Sequence, residues 1–376
     1  MKTELKTALV MGIILIVAIG GISTYFSSLE PQIEKTQNQP DENLQTQSKE
    51  TTKIQKIDKS RFKKAPELVG ISGYINTTPE EIKEAMKDKV ILYDFWTYSC
   101  INCIRTLPYI TAWNTKYFDQ GLLIIGIHSP EFEFEKDLDN VQTAVKQYNI
   151  SYPVLQDNDM ETWKAFENRY WPRKYITDSE GYIRYDHIGE GGYAETEKII
   201  QELLQERNQL LGLNTASAET LVDLEEHQFT ASQTPELYFG YNFAFGRNQL
   251  GNSEGFHPDQ IVTYSLPEKL ARDYFYLEGQ WQNFGDRMKL VSENGKITLP
   301  YFAKSVNIVA ANESVLQVLL DEKSITFENA GTDVQDGTVN ISGDRLYNLI
   351  SSKNAGTHTL TIIAKPGFEI YTFTFG

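Results

Sequence analysis

Cysteine is the scarcest informative residue in this 376-residue chain. The chain has only two, Cys100 and Cys103, which lie three positions apart. So few cysteines exclude a fold stapled by a disulfide framework. None lies near the N-terminus, so a lipid-modified cysteine anchor is excluded as well.

Basic residues are also scarce. The chain carries 35 Lys and Arg against 51 Asp and Glu, a formal net charge of −16. Phosphate binding needs a basic surface, so we expect no nucleic-acid partner. The same balance argues against a polybasic membrane-surface footprint. Hydrophobic residues make up 40% of the chain, enough for packed cores, and the length indicates two domains.

Residues 8–26 form a run of 19 residues without a charge. As a helix this run would be about 28 Å long, close to the thickness of a bilayer's hydrocarbon core. Lys2 and Lys6 precede it, which predicts a cytoplasmic N-terminus. We therefore expect residues 1–26 to be a membrane anchor, with a cleaved signal segment as the alternative. In both cases the rest of the chain lies on the extracytoplasmic side. Residues 27–62 are polar, and we interpret them as a disordered linker.

Residues 63–212 show strands alternating with helices. The run 90–96 is almost continuously apolar, which predicts a strand buried on both faces. A hairpin turn is predicted at 178–181, and an amphipathic helix over 194–211 closes the domain. This order predicts an α/β sandwich.

The two cysteines directly follow the strand 90–96 and open the next helix. Thiols at this spacing can close a small redox-active disulfide. We expect the helix N-terminus to lower the pKa of Cys100, so that Cys100 attacks and Cys103 resolves the mixed disulfide. Asp94 lies six residues before Cys100 on the buried strand, and we expect it to accept the Cys103 proton. The alternative is a strand-end carboxylate bonded to backbone.

A metal site and a purely structural disulfide are weaker interpretations of this motif. A closed zinc site needs four ligands, and the five histidines show no paired spacing that would complete one. A disulfide across three positions closes too small a loop for much stabilisation. We expect no metal and no dissociable cofactor. His128 ends a strand next to the active-site strand, which could bring it near the thiols, but a surface or core histidine is the commoner case. The glutamates of 131–135 are expected to cap a helix.

The segment from Asp94 through Trp96 and the two cysteines to Pro108 resembles the active-site segment of the thioredoxin fold. Trp171-Pro172 matches the position of that fold's cis-proline. The resemblance implies that Pro172 lies beside the dithiol and presents backbone to an extended substrate. It also implies that Trp96 and Trp171 contribute to substrate binding, and we expect the bulky Trp171 to narrow the groove.

Longer motifs are similar to the soluble portion of DipZ-type thiol–disulfide interchange proteins, within the TlpA/ResA-like group. They are residues 95–103, 105–109, 128–132, 170–172 and 189–191. The resemblance spans about 65–376 and is most specific around the dithiol. It implies a thioredoxin-like redox domain followed by a carbohydrate-binding-module-like β-sandwich. DipZ-type proteins also carry a multi-helix membrane domain that delivers electrons, where this chain has one hydrophobic segment. The resemblance therefore implies a separate membrane electron donor.

Residues 235–376 contain short alternating apolar runs separated by turn residues, and 213–234 are expected to connect the domains. This pattern predicts an all-β sandwich of the jelly-roll type. Aromatic residues such as Trp281 and Tyr301 could stack on a glycan if they were exposed, but burial in the core is the commoner fate of such residues. The domain has no cysteine, so it cannot exchange disulfides itself.

These patterns together predict a membrane-tethered, extracytoplasmic thiol–disulfide oxidoreductase that acts on exported disulfide-containing proteins. The alternative is a glycan- or ligand-binding surface protein that uses the thioredoxin-like domain as a scaffold. A third class, metal delivery, would require tight metal binding by the reduced dithiol.

Overall fold

The computed structural model describes residues 58–213, 220–227, 233–244 and 246–376. The predicted anchor, 1–26, and the predicted linker up to residue 57 lie outside the described residues. Within the described ranges, no helix is long and apolar enough to cross a membrane.

The first domain is built on a six-stranded mixed sheet with the order β1-β4-β3-β2-β5-β6. Its strands are β1 Gly73–Ile75, β2 Val90–Trp96, β3 Leu122–His128, β4 Val154–Gln156, β5 Arg173–Thr177 and β6 Ile183–Ile188. Strands β2, β3 and β4 are parallel, whereas β1, β5 and β6 pair antiparallel with their neighbours. Every residue of β2 is buried, as its apolar run predicts.

Helices cover both faces of this sheet. They are α1 Pro79–Ala85, α2 Ile101–Tyr117, α3 Leu138–Gln147, α4 Glu161–Ala165 and α5 Tyr193–Leu211. Buried residues of α2, α3 and α5 share one core with β2, and α1 and α4 pack on the opposite face. The α1 start follows its sequence signal, because the Thr78 side chain accepts a hydrogen bond from the Glu81 N–H at 3.2 Å. The expected thioredoxin-like α/β fold is confirmed.

The C-terminal domain is rich in β-structure. Its short helix is α6 Tyr241–Ala244, and its strands are β7 Leu237–Tyr238, β8 Ile261–Tyr264, β9 Tyr276–Asn283, β10 Met288–Leu290, β11 Gly295–Ala311, β12 Ser314–Leu320, β13 Lys323–Ser324, β14 Val334–Gln335, β15 Thr338–Ile341, β16 Arg345–Ala364 and β17 Glu369–Phe375. They form one hydrogen-bonded network of eleven strands.

The long strands β11 and β16 allow this network to fold over its own apolar face. They pair with each other through two register shifts, which bend both strands. The first part of β11 also pairs with β9 and its last part with β17. The result encloses one continuous apolar core.

Trp281 and Tyr301 both belong to this core and are fully buried. The Trp281 indole N–H donates to the Glu278 carbonyl at 3.1 Å. Burial in the core, the fate that the sequence analysis favours for these two rings, is confirmed, and neither ring is exposed for stacking on a glycan.

The two domains contact each other through an aromatic cluster. Phe132 and Phe134 of the first domain pack against Tyr371 of the second, with ring centroids 5.0 and 4.8 Å apart. The segment that connects the domains is tied down as well, because the Tyr109 hydroxyl donates to the Leu224 carbonyl at 2.7 Å. The C-terminal domain therefore packs on the loop after β3, and residue 224 of the connecting segment contacts helix α2.

The burial of Trp281 leads to a stability prediction. We expect Trp281→Ala to lower the free energy of unfolding by about 3–5 kcal/mol, because it leaves a large cavity in the core. Chemical denaturation followed by circular dichroism measures the change. Phe327, whose side chain is 98% exposed, is the matched control. Phe327→Ala should stay within about 0.5 kcal/mol of the wild type. Equal stability of the two variants would contradict the core assignment.

Candidate active site

The dithiol lies where strand β2 gives way to helix α2. Cys100 is the N-cap of α2, with extended backbone at φ −78° and ψ 112°. Its sulfur accepts a hydrogen bond from the Cys103 backbone N–H at 3.2 Å. Both residues are free thiols, Cys100 partly exposed and Cys103 fully buried. The exposed sulfur is thus held by the helix terminus with the buried one behind it.

The pKa of the Cys100 thiol differs from the sequence-based expectation. Burial raises it, and this effect exceeds the lowering by hydrogen bonds from the Cys103 side chain and backbone. The charges of Glu236 and Glu131 raise it further. The helix terminus acts in the expected direction, but desolvation of the sulfur outweighs it. Burial likewise raises the pKa of Cys103 well above its usual range, followed by its hydrogen bond to Cys100.

Asp94 lies on the same side of the sheet as Cys103. Its neighbours two positions away, Leu92 and Trp96, pack in the core that contains Cys103, and alternate strand residues share a face. Asp94 is fully buried, and neither carboxylate oxygen has a hydrogen-bond partner in the part of the chain that the structure describes. Burial raises the pKa of Asp94 to about 6, while the charge of Lys174 lowers it. The alternative, a carboxylate hydrogen-bonded to the backbone, is therefore wrong for the described residues.

Lys174 is a buried charge that the sequence analysis did not identify. Lys174 and Asp94 lie opposite each other in the backbone register of strands β5 and β2, and the Lys174 side chain is almost completely buried. Among the described residues its ammonium group has no hydrogen-bond partner. Burial lowers the pKa of Lys174, and the charge of Asp94 opposes that effect. The sequence offers one indication that Lys174 is unusual, because it stands in strand β5, whose following residues are all buried. Its positive charge lies opposite the carboxylate behind the dithiol.

The Trp171–Pro172 peptide bond is cis, as the resemblance implies. The Pro172 carbonyl accepts a hydrogen bond from the Gly189 N–H at 2.8 Å. The partly buried Trp171 ring packs 4.3 Å from the Trp163 ring, centroid to centroid, and its indole N–H donates to the Ser129 carbonyl at 3.0 Å. Trp171 also packs on the core to which Cys100 contributes.

Trp96 does not occupy the position expected of a substrate-binding residue. Its side chain is fully buried and meets the His128 ring edge-on at 5.4 Å. The expected contact between Trp96 and a substrate is therefore wrong for this structure, because strand alternation turns the ring into the core. His128 is fully buried too, and burial lowers its pKa to about 3, so it stays neutral at physiological pH.

The glutamates after β3 do more than the expected helix capping. Glu135 does cap a short 3-10 helix, since its carboxylate accepts the Phe132 N–H at 3.0 Å. The same fully buried carboxylate accepts the Ser99 hydroxyl at 2.5 Å, directly before Cys100. Glu131 contacts the Tyr238 hydroxyl of the C-terminal domain. No sequence pattern linked these residues to the dithiol.

A cleft of about 750 Å³ lies between the domains beside the dithiol helix. On the helix side it is lined by Ile101, Ile104 and Arg105, and on the C-terminal side by Lys304 and Asn348 among others. Arg105 also forms an ion pair with Glu190 at 3.5 Å. The cleft is therefore lined by both domains and begins at the residue after Cys100.

Two known families match separate parts of the chain. The AhpC/TSA family matches residues 63–186. The family described as "Thioredoxin like C-terminal domain" matches residues 234–376. The first match covers the dithiol, and the second covers the β-rich domain.

Individual relatives agree with these matches. Protein DipZ of Mycobacterium bovis is 35% identical over 315 residues, which are 83% of this chain and 43% of DipZ. Thiol-disulfide oxidoreductase ResA of Bacillus cereus is 27% identical over 33% of this chain and 68% of its own length. Thiol-disulfide oxidoreductase YkuV of Bacillus subtilis is 31% identical over 143 residues, which are 38% of this chain and 94% of YkuV. The match thus spans less than half the length of the DipZ relative but nearly the whole length of YkuV. The chain is similar to DipZ and ResA, and it belongs to the family of thioredoxin-like thiol–disulfide oxidoreductases to which YkuV belongs.

Proposed function

We propose that this protein is an extracytoplasmic, membrane-tethered thiol–disulfide oxidoreductase that reduces or exchanges disulfides of exported proteins. The arrangement of the dithiol carries the proposal. A partly exposed sulfur at a helix N-terminus accepts a backbone N–H, a buried thiol lies one turn behind it, and an unpaired buried carboxylate lies on the same side of the sheet.

The reaction has two exchange steps. In the first, the Cys100 thiolate attacks one sulfur of the substrate disulfide, forms a mixed disulfide and expels the other substrate sulfur as a thiolate, which takes a proton from water. In the second, Cys103 attacks the Cys100 sulfur and releases the second substrate thiol. Two electrons pass to the substrate, and the protein is left with a Cys100–Cys103 disulfide. Exchange in the opposite direction uses the same steps reversed.

Asp94 is proposed to take the Cys103 proton in the second step. Burial raises the pKa of both groups, and it raises that of Cys103 so far that this thiol needs a base to lose its proton at neutral pH. A carboxylate with a pKa of about 6 is ionised at neutral pH and can accept that proton. The proposed role of Lys174 is to keep Asp94 ionised in its buried position.

The proposed substrate groove runs past Trp171 and Pro172. Pro172 has no N–H, and its carbonyl is engaged by Gly189, so we propose that the backbone on the Trp171 side meets an extended substrate. The Trp171 ring, braced by Trp163 and the Ser129 carbonyl, forms one wall.

Turnover as a reductase requires an electron donor. We propose that a membrane protein with its own dithiol reduces the Cys100–Cys103 disulfide, and that residues 1–26 keep the domain near it. For the C-terminal domain we propose a jelly-roll-like sandwich that covers one side of the redox site. A glycan partner would need contacts other than Trp281 and Tyr301, since both are buried.

The first prediction from the proposed function concerns the order of attack. Cys103→Ser should accumulate a mixed disulfide with insulin, because Cys100 still attacks and nothing resolves it. Cys100→Ser is the matched control and should accumulate none, because Cys103 is fully buried. Non-reducing electrophoresis and mass spectrometry detect the adduct. Equal adduct in both variants would contradict the assigned roles.

The second prediction concerns Asp94. A base accepts a proton only when ionised, so the resolving step in the wild type should speed up as pH rises through about 6. Asp94→Asn should slow this step at pH 7 by about 10²-fold and remove that rise. Stopped-flow decay of a preformed mixed disulfide between pH 5 and 8 measures both effects. Asp88→Asn, an exposed position with φ 55° that asparagine tolerates, is the control. A wild-type pH profile in Asp94→Asn would refute the proton-transfer role.

The third prediction concerns Trp171. Trp171→Thr removes one wall of the groove, so we expect kcat/KM for insulin to rise about threefold or more relative to that for glutathione disulfide. The control is Phe118→Thr, which removes a half-exposed ring at the far end of α2. That end lies about 25 Å along the helix from Cys100. An unchanged ratio in Trp171→Thr would show that Trp171 does not select substrates.

A further inference from the structure

The loop after β3, residues 129–135, is fastened to the dithiol region at two points. At one end the Ser129 carbonyl accepts the Trp171 indole N–H at 3.0 Å. At the other end the buried Glu135 carboxylate accepts the Ser99 hydroxyl at 2.5 Å. The second oxygen of Glu135 accepts the Glu131 N–H at 2.6 Å. The Glu135 carboxylate therefore bridges the Ser99 hydroxyl and the Glu131 backbone. The loop is therefore hydrogen-bonded to Ser99, directly before Cys100, and to Trp171.

The same loop meets the C-terminal domain at Glu131. The Tyr238 hydroxyl oxygen lies 2.9 Å from a carboxylate oxygen of Glu131 and 3.1 Å from one of Glu236. A phenol has one proton, so it can donate to only one of the two carboxylates. Two carboxylates held this close to one hydroxyl repel each other when both are ionised, and they titrate as a coupled pair.

The pKa of Glu131 reflects this crowding. Burial raises it to about 8, and the charges of Glu236 and Glu135 add to the rise. Burial also raises the pKa of Glu236. The pair in turn affects the dithiol, because the charges of Glu131 and Glu236 both raise the pKa of Cys100. One of these two charges belongs to each domain.

The charged and titratable groups beside the pair of Glu131 and Glu236 are Glu135, Tyr238 and Arg247. Of these only Arg247 is basic, and its guanidinium lies 4.3 Å from the centre of the Tyr238 ring. Glu131 also lines a neighbouring interdomain cleft, whose other charged residues are Glu133, Lys136, Asp159, Lys164, Asp286 and Arg287. These six balance as three acids and three bases, so they do not offset the charge of the pair.

We propose that Glu131, Glu236 and Tyr238 are positioning residues for the reaction. The two carboxyl groups share one proton across the domain interface. When the pair loses this proton, its added negative charge makes Cys100 harder to ionise to the thiolate. The inference deepens the proposed function and rests on Cys100 being the attacking sulfur. It gives the C-terminal domain a chemical role, because Glu236 supplies half of the pair.

The test measures the pH dependence of Cys100 alkylation by iodoacetamide, in the full chain carrying Cys103→Ser so that one thiol reacts. In the reference protein the pair has lost its shared proton before Cys100 ionises, so Cys100 titrates beside two negative charges. Glu236→Gln leaves one charge, and the midpoint of the alkylation profile should fall by about 0.5–1 pH unit. Glu131→Gln should do the same and serves as the second variant if Glu236→Gln unfolds. The control is Glu268→Gln, an exposed position in the C-terminal domain.

Midpoints within about 0.2 unit of the reference for both folded variants would overturn the proposal. A fall in the midpoint for Glu268→Gln as well would also overturn it, because the effect would then reflect net charge alone. Thermal melting checks that each variant is folded. Alkylation needs only the thiol, whereas insulin reduction by the chain with both cysteines tests exchange. Normal exchange with unmoved midpoints therefore refutes the carboxyl pair alone, and shifted midpoints without any exchange refute the proposed function alone.

Discussion

Desolvation of the dithiol is the constraint on which the rest of the site depends. A thiolate is the reactive form, and burial opposes it at both Cys100 and Cys103. The helix N-terminus offsets part of that cost through the Cys103 N–H bond to the Cys100 sulfur. The remaining cost explains why a buried base such as Asp94 is useful behind the dithiol, and why charges near Cys100 matter more than they would in water.

The loop between β3 and α3 connects that site to the second domain. Its Phe132 and Phe134 rings pack on Tyr371, while Glu135 and Glu131 bond to Ser99 and Tyr238. These apolar contacts favour association of the domains, because aromatic rings bury large areas. The polar contacts define which groups lie beside Cys100. A β-rich domain without any cysteine thereby contributes to the surroundings of the reactive sulfur.

Local sequence patterns were sufficient to predict features that depend on residues close together in the chain. The apolar run of β2, the Thr78 cap of α1 and the cysteine spacing each describe structure within a few residues, and all appear where expected. The edge strand β1 was not predicted, because three residues carry too little periodicity. The resemblance implied a substrate contact for Trp96, but the ring is buried because it lies on a strand that is covered on both faces. For Trp281 and Tyr301 the sequence shows that an aromatic ring is present but not which way it faces.

The sequence by itself determined the order of elements, the position of the dithiol at a helix start, and Asp94 on the strand before it. These follow from interactions between residues close in the chain. Only the tertiary structure decided that Lys174 lies opposite Asp94, that Glu135 reaches Ser99 and that Glu236 shares a hydroxyl with Glu131. These pairs are separated by 36 to 105 positions. They meet because burial of the sheet, the loop and the second domain brings charges that are distant in sequence into poorly solvated positions. There Lys174 affects the ionisation of Asp94, and Glu236 and Glu135 affect that of Glu131.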